Sequence, residues 1–122
     1  MPNSAIRVDW PRCPSTNRLW RSSRSRGKVR VYKDKGYVSW LKEAAGCWLL
    51  QRPRGFKTIE GPYETTIVVT PGRRDLGNYE KAISDAAQAL RIVADDKNCK
   101  RFVIEYGEAP LGMRIIFTPL DT

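Results

Sequence analysis

An apolar stripe between residues 37 and 48 is the feature that most constrains the fold of this chain. A 3.6-residue period is the only one that makes this stripe continuous, so the segment is predicted to be an amphipathic helix that ends at Pro53 and Gly55. Its tryptophans are expected to fill a core rather than to stack on bases. The stripe falls at i, i+3, i+4, i+7, i+8 and i+11: Tyr37, Trp40, Leu41, Ala44, Ala45 and Trp48.

Four segments have the composition of strands. Residues 5–10 alternate apolar and polar side chains, and residues 63–70 are rich in Thr, Ile and Val. Residues 100–106 and 113–118 are two further strands, and the turn between them favours their pairing as a hairpin.

A second helix is predicted between the strand at 63–70 and the strand at 100–106. The predicted order is therefore β-α-β-α-β-β, an α/β (α+β) fold with two α-helices packed on a mixed β-sheet. The 122 residues suffice for a single small domain, 1–122, with one modest core. The stripe of the second helix again has helical spacing: Tyr79, Ala82, Ile83, Ala86 and Leu90.

Positive charge is concentrated in the first third of the chain. The whole chain carries a net charge of +9, and residues 1–35 alone hold ten Lys or Arg against two Asp, which is +8. Such concentration is typical of a protein that binds a polyanion. Residues 11–35 are predicted to form a basic arm, with a loop from Arg12 to Lys28 and a short strand or hairpin arm at 29–32. A solubilising, poorly ordered arm is the alternative.

The residue types that the chain lacks exclude several functions. It contains no histidine, which excludes Ser-His-Asp and Cys-His triads, HExxH zinc sites and an imidazole base. Its three cysteines are far apart and form no CxxC, so a reducing, cytoplasmic location is expected. No apolar run approaches the roughly 20 residues of a membrane span, and the N-terminus lacks the layout of a signal peptide.

An acidic cluster in this basic chain is the candidate catalytic site. The run Arg73–Lys81 reads Arg-Arg-Asp-Leu-Gly-Asn-Tyr-Glu-Lys at the predicted strand-to-helix junction, and the pair Asp95-Asp96 follows. Carboxylates repel phosphate unless a divalent cation lies between them. Asp75, with Asp96, Asp95 or both, is therefore expected to bind Mg²⁺, or Mn²⁺ in its place, through oxygen.

The expected chemistry is hydrolysis of a phosphodiester. The metal would lower the pKa of a bound water, and Lys81 would stabilise charge in the transition state. Asn78, Lys81 and Asp85 share a helix face away from the buried stripe, where Asn78 could orient a carboxylate or contact the DNA backbone. A purely structural alternative exists for each acidic residue: Asp75 as a helix N-cap, Asp85 in a surface ion pair with Lys81, and Asp95-Asp96 as a solvated turn.

These motifs together resemble the RusA family of Holliday-junction resolvases, small endonucleases of bacteria and their prophages. The resemblance spans essentially the whole chain. It rests on Pro14-Ser15-Thr16-Asn17-Arg18, on Arg74-Asp75-Leu76-x-Asn78-x-x-Lys81 with Asp85 following, and on Asp95-Asp96.

The resemblance implies a Mg²⁺-dependent homodimer that cuts four-way DNA junctions symmetrically, in DNA recombination and repair, without an organic cofactor. Three aspartates line each active site of that family, and a lysine is required for cleavage. Matched onto this chain, the first aspartate is Asp75, the lysine is Lys81, and the last aspartate is Asp96 with Asp95 beside it.

One position departs from the family pattern. The usual motif reads Asp-Leu-Asp-Asn, and its second aspartate is Gly77 here. Glu80 or Asp95 could substitute, the metal could take an additional water, or the protein could bind junctions without cutting them well. Because Mg²⁺ commonly keeps several waters, retained activity is the favoured outcome.

Phosphate contacts are expected from the basic segments, which would follow the DNA path without reading bases. A non-catalytic or weakly catalytic branched-DNA-binding protein is the first alternative function, and an RNA-binding protein that uses Phe102 and Tyr106 is the second. As strand residues, these two aromatics are expected in a core or an interface instead. The predicted DNA contacts are Arg18, Arg21, Arg24, Arg26, Lys28, Arg73, Arg74 and Asn78.

Overall fold

The fold consists of a four-stranded mixed sheet, two helices and a separate two-stranded hairpin. The computed structural model describes residues 5–14, 20–25, 28–33, 35–72 and 79–120, the segments 20–25 and 28–33 by backbone alone. The predicted α+β class, with two helices on a mixed sheet, is confirmed. In chain order the elements are β1 (Ile6–Pro11), β2 (Trp20–Ser25), β3 (Lys28–Lys33), α1 (Lys35–Gln51), β4 (Tyr63–Val69), α2 (Glu80–Ala89), a 3₁₀ turn (Asp96–Asn98), β5 (Cys99–Tyr106) and β6 (Gly112–Pro119).

The strand order in the main sheet is β1-β6-β4-β5. β4 pairs in parallel with β5 and antiparallel with β6, which in turn pairs antiparallel with β1. The predicted β5–β6 hairpin is therefore wrong, because β4 lies between these two strands. The connection at residues 107–111 has to cross only two strand spacings of about 4.8 Å, a distance that five residues span easily.

The strand β4 lies inside the sheet, whereas β1 and β5 form its edges. Residues of β4 alternate between fully and half-buried along the whole strand, so one face of β4 is covered by the core. The edge strand β1 shows a similar alternation, so strand pairing and not burial distinguishes β4. The helix α2 connects β4 to the parallel strand β5, as crossover connections between parallel strands require.

Both helices contribute to the core on one face of the sheet. The apolar stripes predicted for the two helices contain most of their buried residues, and the two tryptophans of α1 are at least 95% buried, which confirms their predicted place in the core. The residues of this core from the sheet are Val8, Trp10, Tyr63, Ile67, Val69, Met113, Ile115 and Phe117.

Side-chain hydrogen bonds hold α1 against the edge strand β1. The indole N–H of Trp40 donates to the carbonyl of Pro11 at 2.7 Å. At the last residue of α1, the Gln51 amide accepts from the backbone N–H of Asp9 at 2.7 Å and donates to its carbonyl at 2.9 Å. Gln51 thus occupies backbone groups on the free edge of β1, which would otherwise be available to another chain.

The N-terminal basic segment contains regular structure that the sequence analysis missed. A loop was predicted from Arg12 to Lys28, but β2 lies within it and pairs antiparallel with β3. The register pairs Ser25 with Lys28, so two residues separate the strands. Ser and Arg have weak strand preference, and Gly27 in so short a connection was the available sequence signal. None of the helices in the described part of the chain could span a membrane.

Candidate active-site cleft

A cleft of about 480 Å³ lies between α2 and the start of β5. It brings together residues from both halves of the predicted site. Lys81 and Asp85 come from α2, and Asp96 comes from the 3₁₀ turn. The complete lining is Glu80, Lys81, Ser84, Asp85, Asp96, Cys99, Lys100, Arg101 and Phe102.

The helix α2 presents Lys81 and Asp85 to this cleft because its opposite face is buried. Ala82, Ile83 and Ala86 pack in the core, which leaves the neighbouring positions outward, as the helical spacing predicts. The Lys81 Nζ lies 3.9 Å from Asp85 Oδ1, and the two side chains are 61% and 20% exposed. An i,i+4 pair of this exposure contributes only a few tenths of a kcal/mol, so the Lys81 amine remains available to a phosphate.

Hydrogen bonds from neighbouring segments position Asp96. Its backbone N–H donates to Gln88 Oε1 on α2 at 2.9 Å. On the other side, Asn98 Nδ2 donates to the carbonyl of Glu60 at 3.1 Å. Neither Gln88 nor Asn98 was singled out in the sequence analysis, since their role depends on segments distant in the chain.

Asp95 has a different role from Asp96. Its Oδ1 accepts a hydrogen bond from the backbone N–H of Lys97 at 2.9 Å, which makes it the N-cap of the 3₁₀ turn. Asp95 is absent from the cleft lining, whereas Asp96 is part of it. The structure thus gives Asp95 a capping contact, and Asp96 is the residue of the pair that lines the cleft with the α2 residues.

The segment that leads from α2 to Asp95 is fixed by a short parallel bridge. Ile59 pairs with Val93 and exchanges two 2.9 Å backbone hydrogen bonds with Ile92 and Ala94. The helix α2 ends just before, at Ala89, and Arg91, with a φ of +61°, then turns the chain in the left-handed region. This bridge determines where the Asp95-Asp96 pair emerges at the end of the sheet.

A β-bulge places two cations in the cleft. Tyr63 pairs with Cys99 and Glu64 with Arg101, so Lys100 is an extra residue on β5 that has no partner on β4. Bulges on edge strands change the direction of side chains and are frequent beside active sites. Here the consequence is that the adjacent residues Lys100 and Arg101 both line the cleft.

The charges of the cleft balance without a metal ion. Lys81, Lys100 and Arg101 oppose Glu80, Asp85 and Asp96, three positive charges against three negative ones. A divalent cation bound by the carboxylates would raise the net charge to +2 and attract a phosphodiester. The carboxylate oxygens fit Mg²⁺, which prefers hard oxygen ligands. Within the described ranges, however, no three Asp, Glu or Cys residues lie close enough to share an ion.

Two buried tyrosines interact electrostatically with the acidic residues. Burial, followed by the negative charge of Asp85, raises the pKa of the Tyr37 phenol to about 12. Burial, followed by Cys99, Asp96 and Asp95, raises the pKa of Tyr63 above its ordinary range. Both phenols therefore stay neutral at physiological pH and add no negative charge to this region.

Several predicted site residues lie outside the described residues. Asp75, Asn78, Gly77, Arg73 and Arg74 belong to residues 73–78, and Arg18 and Arg26 belong to 15–19 and 26–27. Arg21 and Arg24 lie in β2, and Lys28 begins β3. Their predicted roles remain predictions. Of the two strand aromatics, Phe102 is partly buried against the core and Tyr106 is 48% exposed.

Comparison with protein families identifies the chain. The family model described as "Endodeoxyribonuclease RusA" matches residues 9–115, most of the 122-residue chain. A comparison with curated proteins gave no match. The matched range includes part of β1, all elements from β2 to β5 and part of β6, and therefore every residue of the cleft. The chain belongs to the RusA family of endodeoxyribonucleases, whose activity in general is the resolution of Holliday junctions.

Proposed function

We propose that this protein is a Mg²⁺-dependent endonuclease that resolves four-way DNA junctions by paired symmetric nicks. The observation that carries the proposal is the cleft in which Lys81 and Asp85 of α2 meet Asp96 of the 3₁₀ turn. Two segments distant in the chain contribute to this cleft, and the family match covers both. Binding of DNA alone would not need carboxylates in a basic chain, because they repel phosphate.

In the proposed site, Asp96 and Asp75 hold the metal ion, with Mn²⁺ as a substitute for Mg²⁺. When bound there, such an ion would supply a more acidic bound water and positive charge beside the scissile phosphate. Lys81 binds a non-bridging phosphate oxygen and stabilises the charge that develops there. Asp85 keeps the Lys81 amine beside the cleft, at the observed distance of 3.9 Å.

DNA would reach this cleft along a basic path. Lys100 and Arg101 on the bulge bind phosphates next to the scissile one, and the hairpin β2–β3 with Arg73 and Arg74 extends the path. Removal of a single phosphate-binding cation then weakens binding to DNA of any sequence. It also lowers the salt slope, the steepness with which the logarithm of the affinity falls with the logarithm of the salt concentration, by about 1. The substrate is recognised by its branched shape because contacts with phosphates carry no direct sequence information.

Two matched cuts require two matched sites, and an isologous homodimer provides them. We therefore place a homodimer on the junction, with one cleft facing each of two equivalent strands. The three cysteines Cys13, Cys47 and Cys99 form no disulfide, which fits the reducing cytoplasm of a bacterial cell. The gene would be of bacterial or prophage origin.

A cleavage assay with a labelled four-way junction tests the proposal. Purified protein is incubated with the junction and with a linear duplex of the same sequence, in Mg²⁺ and in chelator. We expect paired nicks in the junction only, and only with Mg²⁺. Asp96→Asn should abolish them, whereas the control Glu43→Gln, an exposed carboxylate on α1, should not. Equal cutting of the linear duplex, or cutting in chelator, would contradict the proposal.

A junction-binding protein without strong nuclease activity is the second candidate. Gly77 favours it, because the family's second aspartate is missing at this position. In that case the junction is bound but uncut with Mg²⁺ present. Gly77→Asp should then restore cleavage, whereas in an active enzyme the same change should mainly lower the Mg²⁺ concentration required.

A further inference from the structure

Arg12 lies directly after β1, and its guanidinium binds the end of β4. Its Nη2 donates to the carbonyl oxygen of Thr70 at 2.7 Å and to that of Pro71 at 3.5 Å. The sheet order explains this reach. Pro11 is paired with Gly112 at the start of β6, and the carbonyl of Gly112 accepts from the N–H of Thr70 at 2.9 Å. The side chain of Arg12 therefore crosses one strand to reach the next.

Two glycines leave the room that Arg12 occupies. A β-carbon on Gly72 would lie 2.6 Å from Arg12 Nη1, closer than side chains tolerate. A β-carbon on Gly112 would lie 3.2 Å from the Arg12 backbone nitrogen, and Gly112 has a φ of +117°. A side chain at Gly72 would push the guanidinium end of Arg12 aside, whereas a side chain at Gly112 would be strained by the positive φ and would lie tightly against the Arg12 backbone.

The contact between Arg12 and Thr70 lies at the end of β4, where strand pairing ends. Val69 is the last residue of β4 that is paired on both sides, with Met113 and with Tyr106. One residue later, Thr70 still donates its N–H to β6, while its carbonyl accepts from Arg12. Beyond Gly72 the chain continues into residues 73–78, which carry Asp75.

We propose that Arg12 is a positioning residue that sets the direction in which the chain leaves β4 towards the segment 73–78. This inference rests on the proposed function, since its effect on catalysis runs through Asp75. It also reassigns Arg12, which the charge pattern placed in the DNA path, to an intramolecular role. Small displacements at an active site are costly: a shift of about 1 Å can lower a rate on the order of 100-fold.

The variant Arg12→Met, with Arg7→Met as its control, separates the two roles. Both changes remove one positive charge, and Arg7 is exposed on β1. We expect Arg12→Met to lower the single-turnover cleavage rate on the order of 10- to 100-fold at saturating protein and Mg²⁺. Its junction affinity and salt slope, measured in Ca²⁺, should equal those of Arg7→Met. A salt slope lowered by about 1 relative to Arg7→Met, with an unchanged rate of cleavage by the bound enzyme, would assign Arg12 to phosphate and overturn the proposal.

A second test disturbs the same contact from the side of Gly72, with the Arg12 side chain still present. Gly72→Ala, which places a methyl group against the guanidinium, should reproduce the cleavage defect of Arg12→Met. The double variant should be no worse than either single one, because both changes break the same contact. Independent, additive defects would contradict the proposed contact.

Hydrogen exchange distinguishes failure of this inference from failure of the proposed function. Peptides that span residues 70–79 should exchange faster in Arg12→Met than in the wild type or in Arg7→Met, whether or not the protein cuts DNA. If the wild type cuts no junction, the proposed function fails, and the exchange result alone decides the role of Arg12. Unchanged exchange in this segment would overturn it.

Discussion

The sharpest prediction from the cleft geometry is that the neighbours Asp95 and Asp96 have different roles. These neighbours have the same side chain, but one caps the 3₁₀ turn through Lys97 N–H and the other lines the cleft. We therefore expect Asp95→Asn and Asp96→Asn to have opposite profiles. Asparagine keeps the oxygen that caps a helix, but it removes the negative charge that binds a metal ion.

The magnitudes follow from these two roles. Asparagine and aspartate are about equal as N-caps, so Asp95→Asn should leave the free energy of unfolding nearly unchanged, whereas Asp95→Ala should lose about 1 kcal/mol. Cleavage by Asp95→Asn should stay within about threefold of the wild type, or roughly 0.7 kcal/mol of activation free energy. Asp96→Asn should lose at least about 100-fold, since loss of an outer-shell partner alone costs 10- to 100-fold at a metal site.

Single-turnover cleavage of a labelled junction and unfolding in urea measure the two effects separately. Asp95→Ala tests the link between the two residues. It removes the cap of the 3₁₀ turn, so it can affect Asp96 only by shifting the backbone. A cleavage defect in this variant should therefore be relieved in Asp95→Asn. The reasoning would be refuted if Asp95→Asn lost as much cleavage as Asp96→Asn with unchanged stability, since Asp95 would then be a ligand.

Three further predictions test the surroundings of the cleft. Lys100→Met should lower the salt slope of junction binding by about 1, and an unchanged slope would remove the bulge from the DNA path. Gln51→Ala should lower the free energy of unfolding in urea by about 1–3 kcal/mol, because two hydrogen bonds to Asp9 are lost at about 0.5–1.5 kcal/mol each. The raised pKa of Tyr37 stabilises the fold below pH 10, and this contribution, on the order of 2–3 kcal/mol, should disappear as the pH rises to about 12. Stability in that pH range should therefore fall less steeply in Tyr37→Phe than in the wild type, and equal slopes in alkaline titrations would contradict this.

Sequence periodicity was sufficient to predict the strands of the main sheet and both helices. The stripes of α1 and α2 appear in the structure as buried faces, since helical spacing is a local property of the chain. The same spacing correctly placed Lys81 and Asp85 on one outward face of α2. Strand pairing was not accessible in this way. Neighbouring strands were assumed to pair, yet β4 lies between β5 and β6. The alternating burial of β4 does not reveal this place, since the edge strand β1 shows a similar alternation.

For the candidate site, the sequence by itself limited the kinds of chemistry that are open to the chain. The absence of histidine excludes imidazole bases and histidine ligands, and it leaves carboxylates and lysine as the candidate groups. Tertiary structure alone decided which residues meet. It assigned the cleft to Asp96 and the cap to Asp95, placed Lys100 beside Arg101 in the cleft lining through a bulge, and directed Arg12 to the end of β4. The physical reason is that residue chemistry is a property of each position, whereas a contact between distant positions exists only after the sheet has set its strand order and register.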